Sequence, residues 1–70
     1  MTKYKVTISE EAIDYRIKML EIIDSVKITR EGEALDFILE CATEDVEAVE
    51  YELRKAERRD DFCEWVKEIS

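Results

Sequence analysis

Nineteen of the 70 residues are Asp or Glu, 11 are Lys or Arg, and none is His, so the groups available for chemistry are carboxylates and two thiols. Without an imidazole, Ser/His/Asp triads, Cys/His pairs and His-containing zinc sites are excluded. Gly32 stands alone, and both the P-loop and the dinucleotide fingerprint need two or more glycines at fixed spacing, so those phosphate cradles are excluded as well. Neighbouring acids such as Asp60-Asp61 and Glu44-Asp45 have the types needed for acid/base work or a divalent ion. Nineteen acids in so short a chain produce such pairs by chance, and no enzyme activity is expected. Cys41 and Cys63 are 22 residues apart with no C-x-x-C, the pattern of free thiols in a reducing compartment rather than of a redox pair or metal knuckle.

The acids are unevenly placed. Residues 1–30 carry six basic and five acidic groups and residues 54–70 five of each, whereas residues 31–53 carry nine acids and no base. The formal net charge of −8 therefore belongs to one third of the chain. Acids at a helix start complement its dipole, and acids on solvent-facing strand positions keep a small protein soluble. The same charges can also form an electronegative surface that meets a basic partner, speeding encounter and making binding weaken with salt. On that reading Glu31, Glu33, Asp36, Glu40, Glu44, Glu47 and Glu50 supply the field. Tyr51, on the outward side of its helix, is then an anchor, unless it simply lies over the stems of Glu47 and Lys55. Nucleic acid is not the expected direct partner, because the only basic cluster, Arg54, Lys55, Arg58 and Arg59, lies beside the acids.

These residues need elements to position them. Tyr4, Val6 and Ile8 alternate with Lys3, Lys5 and Thr7, the period of a strand with one buried face. Ser9 stands at an N-cap position and Glu10, Glu11 and Asp14 suit the positive end of a helix dipole, which predicts a helix over about 10–25. Ile13, Ile17, Leu20 and Ile23 form one stripe on it, and Tyr15, Met19 and Ile22 a second. Val26 and Ile28, then Leu35, Phe37, Leu39 and Cys41, return to period two and predict strands over about 26–30 and 34–42, with Gly32 supplying the positive φ of a hairpin turn. Ile38, apolar on the opposite face, marks the second of these as central. Thr43 is placed to cap a second helix running to about 58, with Val46, Val49, Leu53 and Ala56 inward. Continuing that helix would bury Asp60, Glu64 and Lys67, so it breaks near Asp60-Asp61.

The last segment fits two periods. Phe62, Trp65, Val66 and Ile69 match i, i+3, i+4, i+7, and Asp61 with Glu64 resembles a capping box, which favours a short third helix. The alternative is a fourth strand with Cys63, Trp65 and Ile69 facing inward. A tail folded over Tyr15, Met19 and Ile22 would cover the second stripe of the first helix; otherwise that stripe is the expected interface of a homodimer.

In order, the elements describe a single small α+β domain over residues 1–70 that resembles the ferredoxin-like split βαβ arrangement. Heavy-metal-binding members of that fold carry a C-x-x-C after the first strand, where this chain has Ser9-Glu10-Glu11; neither metal nor other cofactor is expected. A short, acidic, single-domain chain of this kind is similar to phage-encoded inhibitors such as anti-CRISPR and anti-restriction proteins, some of which imitate DNA. That likeness implies a protein-binding module, an inhibitor or adaptor that masks the basic, nucleic-acid-binding surface of another protein. The alternative is a ferredoxin-like regulatory or oligomerisation domain for a small ligand, similar to amino-acid-sensing modules. The N-terminus has no signal-like apolar stretch and the longest apolar run is Phe37-Ile38-Leu39, so a soluble, cytoplasmic protein without a membrane anchor is expected.

Overall fold

The computed structural model describes residues 1–68. Strand β1 (Thr2–Ile8) is followed by α1 (Ile13–Glu21), β2 (Lys27–Thr29), β3 (Asp36–Cys41), a single 3-10 turn (Thr43–Asp45), α2 (Val46–Arg59) and β4 (Cys63–Glu68). The strands form one antiparallel sheet in the order β2-β3-β1-β4, so two βαβ halves interleave and β1 and β3 lie at the centre. The chain is an α+β domain with the split βαβ order. The hairpin turn expected at Gly32 is present, with that residue at φ +55°.

Alternation along the strands decides the two faces. Tyr4, Val6 and Ile8 of β1 and Phe37, Leu39 and Cys41 of β3 are buried beneath the helices, packed with Ile13, Leu20, Val49 and Leu53. Lys3, Lys5, Thr7, Asp36, Ile38 and Glu40 point the other way, to a face that no element among the described residues covers. The stripe Ile13, Ile17, Leu20 and Ile23 of α1 and the stripe Val46, Val49, Leu53 and Ala56 of α2 face the sheet as expected, with Ile17, Ile23 and Val46 half-buried at their margins.

The tail is the fourth strand, not a third helix. β1 is buried on its apolar side, and β4 satisfies the backbone groups along its second edge in a register from Lys3↔Glu68 to Ile8↔Cys63. Trp65 fastens the strand: its ring meets Tyr4 at a centroid distance of 5.8 Å, and its Nε1–H donates to Glu57 Oε1 at 2.6 Å. Phe62 stays 46% exposed. Ile69, expected inward on either reading, lies outside the described residues.

Three local expectations also change. α1 covers Ile13–Glu21 rather than 10–25, because the N–H groups of Ala12 and Ile13 both bond the Ser9 carbonyl and residues 10–12 form a turn. Ser9 thus serves the helix start through its carbonyl, and its hydroxyl is buried without a hydrogen-bond partner among the described residues. Thr43 does not cap through its side chain; instead Ser25 Oγ accepts the Ala42 N–H at 3.0 Å and donates to Asp45 Oδ2 at 2.6 Å. Leu35 precedes β3 and is 40% exposed, its carbonyl taking the Ile8 N–H at 3.0 Å.

One charged cluster ties the two helices together. Arg16 is buried between them and donates to Asp60 twice, Nε to Oδ2 at 2.8 Å and Nη2 to Oδ1 at 3.0 Å, and through Nη1 to Glu52 Oε1 at 3.3 Å. Lys55 Nζ reaches the other Glu52 oxygen at 3.4 Å. The bidentate Asp60 bond first, with the carboxylates around it, holds the Arg16 guanidinium above its ordinary value, against the opposing effect of burial.

Candidate functional site

Three loops meet where β1 ends. Ile8 N–H bonds the Leu35 carbonyl in the β2–β3 hairpin, and Ser9 N–H bonds the Phe62 carbonyl in the α2–β4 loop at 2.9 Å. The turn into α1 starts from the same point, so the acids carried by all three segments come together. Glu10, Asp14, Arg30 and Glu33 line one recess, and Glu31 and Asp36 another beside it. Thr7 stands in register between Asp36 and Glu64 on the open face of the sheet. Glu11 and Asp61 lie close together, and the neighbouring Asp61 carboxyl pushes the Glu11 carboxyl above its ordinary value.

This end of the molecule therefore presents Glu10, Glu11, Asp14, Glu31, Glu33, Asp36, Asp61 and Glu64. Arg30 sits among them, with Nη1 on Asp14 Oδ1 at 3.0 Å and Nε on the Ala34 carbonyl at 2.7 Å, and Arg58 and Arg59 close α2 at its border. Like charges held this close are tolerated only in water. The arrangement can project a field, and its solvated carboxylates are poorly sheltered for proton transfer. Among the described residues no three His, Cys, Asp or Glu side chains are placed to hold a metal ion.

The acid-rich third of the sequence is not one patch. Glu31, Glu33 and Asp36 belong to the loop end, but Glu40 lies on the open sheet face between Lys27 and Lys3. Glu44 and Glu47 stand beyond the far end of β3, about 17 Å from Asp36 at the usual strand rise. Glu50 faces inward: it accepts the Tyr4 hydroxyl at 2.7 Å and pairs with Arg54 at 3.2 Å and Lys67 at 3.4 Å. The Tyr4 bond, helped by Lys67, lowers the Glu50 carboxyl below its ordinary value. Tyr51 is 60% exposed on the outer face of α2, with the Lys55 ammonium over its ring, Nζ 5.2 Å from the centroid. Glu10, Glu11, Asp14, Asp61 and Glu64 were missed as members of the surface, because only the sheet order brings their segments to one place.

Both cysteines are free thiols within the fold. Burial raises Cys41 and pushes Cys63 up to about 11. At pH 8 the Cys63 thiolate is therefore scarce, and an aromatic disulfide reagent should label it about a hundredfold more slowly in the native protein than in urea. Equal rates would show that the α2–β4 junction opens readily.

The chain was searched against protein-family models, curated proteins and solved structures, and nothing matches it. Among the described residues no helix is long and apolar enough to cross a membrane.

Proposed function

We propose that this chain is a small acidic protein-binding module, an inhibitor or adaptor that masks a basic, nucleic-acid-binding surface on another protein. The observation that supports this reading is the meeting of three acidic segments at the end of β1. Carboxylates fixed by the sheet and hairpin offer a basic groove the same sign of charge as a phosphate backbone, and their common field steers the encounter. Glu10, Glu31, Glu33, Asp36 and Glu64 carry the contact. The test is capture on the immobilised chain from a lysate of its source organism, eluted with a salt gradient in the presence or absence of duplex DNA. A basic protein released by moderate salt and displaced by DNA is expected. Captured proteins that DNA does not displace would defeat the reading.

One observation favours a second reading, a regulatory or oligomerisation domain. Tyr15 is 57% and Ile22 69% exposed, with Met19 half-buried between them, so β4 leaves this stripe of α1 open. Pairing through it predicts a dimer indifferent to salt and broken by Tyr15→Glu.

A further inference from the structure

The open face of the sheet carries a charge pattern that is complementary to itself. In register across β2, β3, β1 and β4 lie Lys27, Glu40, Lys3 and Glu68, alternating in sign. Among the described residues none of these four makes an ion pair within the fold. The next row toward the acidic end holds Thr29, Ile38, Lys5 and Val66, the last 64% exposed. With Asp36 and Glu64, the face has three lysines against four carboxylates, close to neutral on a protein of net charge −8.

We propose that this face is the contact between two copies of the chain, packed sheet on sheet about a two-fold axis that runs along the strands between β1 and β3. That axis reverses the strand order while leaving each row opposite itself. Lys27 then meets Glu68 of the second copy and Glu40 meets its Lys3, and symmetry repeats both pairs. Ile38 lies along the stem of the second copy's Lys5, and Val66 against its Thr29. The strands of the two sheets remain aligned, as in β-sandwiches whose layers stand about 10 Å apart. A two-fold across the strands would instead oppose Glu40 to Asp36 and Glu68 to Glu64. The favoured axis keeps both acidic ends on the same side of the assembly. Their mutual repulsion is limited at physiological salt, where charges are screened beyond about 8 Å.

Sedimentation equilibrium of the full chain in about 0.15 M salt, up to about 1 mM protein, is the test. Wild type should show a reversible dimer. E40K/E68K halves the net negative charge, so general repulsion alone would tighten association; the proposed contact requires it to weaken by about tenfold or more. K3E/K27E should weaken it likewise, and an equimolar mixture of the two variants should dimerise again. Circular dichroism of each variant establishes that it is folded. A wild type monomeric throughout overturns the proposal. So does a dimer that either folded variant leaves intact, and one that Tyr15→Glu abolishes instead belongs to α1.

Discussion

Arg16→Ala is expected to remove roughly half of the domain's folding stability. The side chain is 6% exposed, and its removal strands Asp60 and Glu52, whose side chains are 8% and 11% exposed, without their shared cation. Breaking a buried ion cluster by deleting one partner costs about 3–5 kcal/mol. A domain of this size has about 4–10 kcal/mol in total at the usual value per residue. Arg16→Lys keeps the charge but loses the fork that grips both Asp60 oxygens, so it should fall between wild type and alanine. Arg59→Ala, an exposed change on the same helix as Glu52, should move stability by less than about 0.5 kcal/mol. Urea denaturation followed by circular dichroism reads all three. An Arg16→Ala protein as stable as the Arg59→Ala control would show that the cluster does not hold the helices.

The second large effect is Tyr4→Phe, which should cost about 1–3 kcal/mol at neutral pH by leaving the half-buried Glu50 without its hydroxyl donor. Its pH dependence identifies the cause. The folded Glu50 carboxyl lies below its ordinary 4.5, so its stabilisation is complete above the ordinary carboxylate range and is lost as pH falls through the folded value. The gap between wild type and Tyr4→Phe should therefore be widest near pH 7 and narrow by pH 3. Tyr4 is shifted the other way: burial, then the Glu50 hydrogen bond, raises it above its ordinary 10.0. Its contribution is complete below that value and is lost as pH rises beyond it, so wild type should lose stability in strong alkali through a group the variant lacks. Denaturation midpoints at pH 3, 7 and 10.5 measure both limbs, and a pH-independent gap would point to packing alone.

Much of the fold was legible because the patterns are local. Tyr4, Val6 and Ile8 alternate without interruption, Gly32 marks its turn, and Ile38 betrays β3 as central by being apolar on the face where a neighbour would be polar. The tail was ambiguous because Trp65 satisfies both periods; what decides it is the unpaired edge of β1, a fact about the assembled sheet. The Arg16 cluster had no local signal, since its partners Glu52 and Asp60 are 36 and 44 positions away. Glu50 likewise read as surface charge until the sheet brought Tyr4 and Lys67 beneath it. The loop-end surface was partly legible: Glu31, Glu33 and Asp36 came from charge counting, whereas Glu10, Glu11, Asp14, Asp61 and Glu64 join only through strand order.

The decisive quantity is the affinity for the captured basic partner as salt is varied, for wild type and for two triple reversals of equal charge. E10K/E33K/D36K alters the end where the three loops converge, and E21K/E44K/E47K alters residues distant from it. The first triple should bind about a hundredfold more weakly than wild type at about 50 mM salt, a loss that shrinks as salt rises, while the second loses less than about threefold. Equal losses from the two triples, or an affinity that neither triple changes, would contradict recognition through the end of β1.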